Sequence, residues 1–331
     1  MKINIKLRKL HTERHSMIDL REQISFGGVS RHETFTPRYG WLKKGFDVII
    51  NDSRAFNAQD AIERLGVGKN MVRSIRSWCI AFNLIEPYEN IDKKGKKGAL
   101  RPTKLGLKLL SNNGWDPYLE DISSLWLLHW NLFIPPFEAS SWPLAFNYCS
   151  LQSFDHKQLT RVLISSAKQH EKLSGFSEDS FDKDASCLIR MYSDGRENNS
   201  MGIDCPFTQI GLIRSIDEQN TFRFVIGEKY TLPSLIFAAS CFSYAKYTQP
   251  NQRTLSFHKI LYEFNSPGIA FKVTETEAGC MLDDAAKKIE GVEFVESMGN
   301  RQLQFEKNPE ELFWQILSQY YEKEPVRGNK I

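Results

Sequence analysis

Residues 60–86 read DAIERLGVGKNMVRSIRSWCIAFNLIE. A short helix from Asp60 to Leu65 is expected to break at Gly66-Val67-Gly68, where glycine permits the tight turn between two helices. A longer helix then runs from about Lys69 to Asn83. Met71, Ile75, Trp78, Cys79 and Phe82 recur at helical spacing and form one apolar stripe. The other side carries Asn70, Arg73, Ser74, Arg76 and Ser77, a donor-rich set suited to phosphates and base edges in a major groove.

The flanks extend this pattern. Downstream, IDKKGKKGALRPTK (91–104) places Lys93, Lys94, Lys96 and Lys97 around glycines between strand-compatible ends. A basic hairpin after a reading helix is the wing of a winged helix, placed to neutralise phosphates. Upstream, Lys43 and Lys44 follow an aromatic-basic run, and with Lys69 they complete the expected DNA-binding set. The ordinary alternative is two packed helices followed by a solvated lysine-rich loop.

Charge supports a polyanion partner for this end of the chain. Residues 1–110 hold 22 Lys and Arg against 11 Asp and Glu, whereas the remainder holds 21 against 29. No apolar stretch is long enough to span a bilayer, and MKINIKLRKLHTERHS lacks the apolar segment of a signal peptide, so a cytoplasmic location is expected. The six cysteines are far apart and form no CxxC pair, which reads as reduced thiols rather than a zinc or redox motif. Walker, GxSxG, HExxH and dinucleotide fingerprints are absent from the sequence.

The expected class is mainly α (α+β), in three regions. Residues 1–112 form a basic winged-helix DNA-binding domain. Residues 113–200 form a helical middle region, from the helical spacing in LEDISSLWLLHWNLF (119–133) and DHKQLTRVLISSAKQH (155–170), with the polar stretch 171–200, which holds one short helical pattern around Cys187–Tyr192, as a linker. Residues 201–331 form a second, winged-helix-like module. In it Phe257–Phe264 is a first helix, Ser266-Pro267-Gly268 a turn, and TETEAGCMLDDAAKKI (274–289) a helix with Ala278, Met281, Leu282, Ala285 and Ile289 inward. VEFVESMGNRQLQF (292–305) closes as a hairpin at Gly299-Asn300. Glu275, Glu277, Asp283 and Asp284 would repel phosphate, so this module is read as a protein-contact domain.

Two clusters offer residue types for phosphodiester cleavage, which uses carboxylates and histidine around a divalent metal with Lys or Arg to stabilise charge. One is His32 and Glu33 with Arg38, Lys43 and Lys44 behind them. The other is Asp116, Glu120 and Asp121 with His129 further along the same helix. His32, Glu33, Arg38, Asp116 and Glu120 are the candidate catalytic residues, and Mg²⁺ or Mn²⁺ the expected ion, with no metal ligands assigned. Each cluster also has a structural reading. His32-Glu33 equally suits a phosphate clamp, Asp116-Pro117 a helix cap, and His129 a hydrogen-bonded core histidine.

RHETFTPRYGWLKKG (31–45), LGVGKNMVRSIRSWCIAFNLIE (65–86), DPYLEDISSLWLLHWNL (116–132) and SPGIAFKVTE (266–275) together resemble a bacterial domain-of-unknown-function family found with DNA phosphorothioation genes. These are the SspB-like DNA nickases of the single-stranded sulfur-modification anti-phage system. Where the family pattern has glycine before the histidine, this chain has Arg31, with Val29 and Ser30 inserted after Gly27-Gly28. The resemblance implies a protein that nicks or engages one strand of double-stranded DNA so that partners can replace a phosphate oxygen with sulfur, and with the carboxylate-histidine clusters it makes a metal-dependent nicking endonuclease the expected enzyme class. Those partners would be a cysteine desulfurase, a sulfur transferase and an ATPase. A non-catalytic DNA-binding adaptor or regulator that recruits these enzymes is the alternative.

Overall fold

The computed structural model describes residues 17–88, 98–193, 205–217, 220–297 and 299–322. The expected wing lysines Lys93, Lys94, Lys96 and Lys97 lie outside the described residues.

Helix α1 (Leu20–Ile24) leads through an irregular loop to α2 (Trp41–Asn51), α3 (Ala61–Leu65) and α4 (Lys69–Ala81). The turn between α3 and α4 forms as the glycines require: Gly66 takes a left-handed φ of 63° and Gly68 opens α4. The helices α2 and α4 pack closely because residue 45 has no side chain. A Cβ on Gly45 would stand 2.6 Å from Cys79 Sγ and 2.7 Å from Ile75 Cγ2. Strands β1 (Ile85–Tyr88) and β2 (Ala99–Pro102) pair antiparallel, with Ile85 opposite Pro102 and Tyr88 opposite Ala99. Helix α5 (Lys104–Leu110) follows, capped by Thr103, which accepts from the Gly106 amide at 2.9 Å.

The middle of the molecule is a bundle of α6 (Ile122–Asn131), α7 (Ser141–Tyr148), α8 (His156–Ala167), α9 (Glu178–Tyr192) and α10 (Ser234–Thr248). Helices α6 and α10 are buried over most of their lengths and form its axis. A short antiparallel pair, β3 (Ile213–Ser215) and β4 (Phe222–Phe224), lies beside it.

The last region runs β5 (Thr254–Ser256), α11 (Phe257–Tyr262), α12 (Pro267–Phe271), α13 (Glu275–Ala286), β6 (Val292–Ser297) and β7 (Asn300–Phe305). Its three strands are ordered β5-β7-β6, and all pairs are antiparallel. Thr274 and Glu277 form a reciprocal capping box at the start of α13. Helix α14 (Pro309–Glu322) then returns along α10.

Three expectations change. The polar stretch 171–200 is not merely a linker, because it carries the fifteen-residue α9, with Phe181, Asp184, Ala185, Leu188 and Tyr192 buried along one face. Only its end, from residue 194, lies outside the described residues. Ser266-Pro267-Gly268 is the capped first turn of α12 rather than a bare turn. The three regions also share one continuous core, which runs from Leu20 through Trp78, Trp126 and Trp142 to Leu317.

Candidate nucleic-acid interface

Helix α4 is half open and half embedded. Lys69, Asn70 and Arg73, in its first turn and a half, are exposed. Arg76 is half-buried, and Ser74 and Ser77 are buried, so these serines do not belong to the open face expected for them. The reason is a second packing surface. Trp78 stacks on His32 with ring centroids 5.8 Å apart, meets Trp142 of α7 edge-on at 5.3 Å, and donates to the Phe35 carbonyl at 2.9 Å. Phe82 stacks on Phe207 at 4.9 Å. The apolar stripe thus packs on α2 and also on the His32, Trp142 and Phe207 side chains.

The lysines before α4 have local partners. Lys43 is buried, with its ammonium 2.5 Å from Asp47 Oδ1 and 3.0 Å from Asn112 Oδ1. Lys44 is exposed and donates to the Leu65 carbonyl at 3.3 Å, at the end of α3. The Arg38 guanidinium lies over the rings of Phe35 and Trp41, 5.8 and 5.3 Å from their centroids.

The loop between α1 and α2 carries His32 and Glu33. His32 and Asp184 of α9 are both buried, and their Nε2 and Oδ1 atoms are 2.7 Å apart. The same oxygen accepts from the Ser30 amide at 2.9 Å, and Oδ2 accepts from Ser141 Oγ at 2.5 Å. Burial disfavours a charge on the imidazole, but Cys187 and the Asp184 carboxylate favour one and outweigh it, raising the pKa to about 10. The Thr34 amide lies 3.1 Å from Nδ1, and Nε2 carries a proton facing Asp184. A nucleophilic triad would chain serine to histidine to carboxylate. Here serine and histidine both bond the carboxylate, so Asp184 is a hub that holds three segments together.

Glu33 points the other way, to the surface. Its carboxylate lies 3.3 Å from Arg73 Nη1. Ser30, Glu33 and Thr34 all have positive φ, of 56°, 50° and 68°. Arg190 of α9 donates to the Thr34 carbonyl at 2.6 Å and anchors the turn.

The second cluster is built differently. Asp116 Oδ1 accepts from the Glu120 amide at 2.9 Å, while Oδ2 accepts from the Asp121 amide at 3.1 Å and Ser124 Oγ at 2.6 Å. Asp121 caps α6 through the Ser123 amide. The two serines reach the last helix, with Ser123 Oγ 2.6 Å from Tyr320 OH and Ser124 Oγ 2.9 Å from Tyr321 OH. Trp115 stacks on Tyr321 at 5.0 Å. Glu120 is exposed.

His129 takes no part in this cluster. Its Nε2 donates to the Ala270 carbonyl at 2.8 Å, and Nδ1 accepts from Tyr192 OH at 2.7 Å. Complete burial pushes its pKa down to about 3. Sequence reasoning passed over Asp184, Ser141, Lys183 and Arg190; the only local signal for the first was an aspartate in line with Phe181 and Leu188.

Among the described residues, no three His, Cys, Asp or Glu side chains are grouped to hold a metal ion. Nor is any described helix long and apolar enough to cross a membrane.

A family model described as "Protein of unknown function (DUF4007)" matches residues 29–321. A solved structure titled "SspB crystal structure" is 34% identical, with a TM-score of 0.83 over 92% of this chain and 92% of that one. A second, "Magnesium ion-bound SspB crystal structure", is also 34% identical, with a TM-score of 0.84 over 91% of this chain and 90% of that one. The comparison with curated proteins gave no match.

Proposed function

The chain belongs to the DUF4007 family and is SspB-like over most of its length, and from that membership we propose that it binds duplex DNA and nicks one strand within a DNA phosphorothioation system. One observation carries the DNA-binding half. The order helix, helix, glycine turn, helix, antiparallel hairpin is that of a winged helix-turn-helix, whose reading helix meets the major groove through its N-terminal residues. In α4 those residues are Lys69, Asn70 and Arg73, all exposed.

The C-terminal module has the strand and helix order of a second winged helix, but the start of α13 presents Glu275 and Glu277. We read it as the face that meets proteins, in keeping with the cysteine desulfurase, sulfur transferase and ATPase that the family resemblance implies.

For strand cleavage the candidates open to solvent are Glu33, Arg38 and Glu120, while His32 and Asp116 are engaged by the fold itself. Both oxygens of Asp184 and of Asp116 are already hydrogen-bonded, and no metal-holding group occurs among the described residues. The described residues therefore do not assemble a metal site by themselves. The same engagement of His32 and Asp116 favours the second reading, a DNA-binding adaptor that recruits the modifying enzymes. Supercoiled plasmid separates the two. Conversion to open circle with Mg²⁺ or Mn²⁺, abolished by EDTA, supports nicking. A gel shift without conversion supports the adaptor.

A further inference from the structure

We propose that Glu33 occupies, in the DNA-free protein, a site built for a DNA backbone phosphate, which takes its place when duplex binds. The proposal rests on the DNA-binding reading above and extends the contact from α4 onto the central bundle.

The argument starts with the backbone. Ser30, Glu33 and Thr34 are not glycine, yet all three have left-handed φ, which costs on the order of 1–2 kcal/mol each. The turn is nevertheless fixed on every side. Asp184 holds Ser30 and His32, His32 holds the Thr34 amide, Arg190 holds the Thr34 carbonyl, and Trp78 holds the Phe35 carbonyl. Three of these partners, His32, Trp78 and Asp184, are themselves buried. What they hold in place is one carboxylate on a loop that touches Arg73 of α4 and Arg190 of α9.

That carboxylate sits among cations from different elements. Arg73 reaches it from α4 through one nitrogen. Lys183, from α9, has Asp179 as its first partner at 2.6 Å and the Glu33 charge as a weaker one. Arg190 approaches through the Thr34 carbonyl. Arg73 and Lys183 are about half exposed. An ion pair this open contributes at most about 1 kcal/mol, so an incoming phosphate can break it at little cost. The phosphate would offer Arg73 several acceptor oxygens in place of one contact. Only the Glu33 side chain needs to rotate, and the pinned backbone stays where it is.

The test is fluorescence anisotropy with a labelled 20-base-pair duplex at several salt concentrations, on the full chain. E33Q should bind about three- to tenfold more tightly than wild type, with a steeper salt slope, because one repulsive charge is gone. E33D, which keeps the charge, should stay near wild type. K183Q, on a separate helix and away from the loop contacts, should weaken binding and flatten the salt slope by about one. Unchanged or weaker binding by E33Q, with a wild-type melting temperature, overturns the proposal, as does a K183Q that binds normally. E33Q that binds like wild type but loses nicking assigns Glu33 to cleavage instead. Absence of duplex binding by every protein overturns this proposal together with the DNA-binding reading, whereas wild-type binding with an inert Glu33 overturns it alone.

Discussion

His32 Nε2 lies 2.7 Å from Asp184 Oδ1, and both side chains are buried although 152 positions separate them in the chain. Asp184→Ala would leave the His32 ring, Ser141 Oγ and the Ser30 amide without their acceptor. A loss of about 3 kcal/mol is expected, read as a lower urea midpoint. Ser141→Ala removes one donor and should cost about 1 kcal/mol while leaving DNA activity intact. Abolished activity in a stably folded Ser141→Ala protein would contradict the hub.

His129 makes stability depend on pH. Its folded pKa of about 3 lies below the 6.5 of an unfolded histidine, so in that window the unfolded chain binds a proton that the folded chain does not. Stability therefore rises with pH up to about 6.5 and then gains nothing more from this residue. Its slope at lower pH is at most about 1.4 kcal/mol per unit. His129→Gln should be less stable at pH 7 and show a shallower decline between pH 6 and pH 5. An identical decline in both proteins would remove His129 as the source.

The Asp116 network ties the loop before α6 to α14. Tyr321→Phe should lower stability by about 1 kcal/mol, and Asp116→Ala by about 2 kcal/mol through loss of its amide and serine partners. In the plasmid assay any loss of nicking by Asp116→Ala should track its unfolded fraction. A stable Asp116→Asn protein with no nicking would restore Asp116 as a catalytic residue.

Lysines on the two sides of the α3–α4 turn should behave differently. Lys69→Ala and Arg73→Ala should weaken duplex binding, Lys69→Ala reducing the salt slope by about one. Lys43→Met should leave the salt slope alone and lower the melting temperature, because its ammonium is committed to Asp47 and Asn112. Replacing Lys93, Lys94, Lys96 and Lys97 together should weaken binding uniformly across DNA sequences. Equal salt slopes for the Lys43 and Lys69 variants would show that α4 is not the reading helix.

Local signals made half of this molecule readable before any coordinates. The glycine turn at 66–68, the stripe on α4, the inward face of α13 and the hairpin at Gly299-Asn300 are each written within a few residues of where they act. Only the end of helix α9, around Cys187–Tyr192, was legible, because polar residues outnumber apolar ones along the helix and its inward face includes an aspartate. Equally unreadable were the contacts of Trp78 with Trp142 and of Phe82 with Phe207, which arrive from far along the chain. His32 and Glu33 are neighbours in sequence but face opposite ways, one into the Trp78–Trp142 seam and one to the surface. Nothing in residue order alone separates a pin from a probe.

The Trp78 seam has a mechanical consequence. A reading head on a flexible tether can search DNA while its body trails in any attitude. Here Trp78, on the rear of α4, packs on His32 and Trp142 from elsewhere in the chain and on Phe82 at the helix's own end. Head and body must then move as one piece, and a duplex bound as proposed on α4 would meet the remainder of the molecule at one bearing, decided when the chain folds.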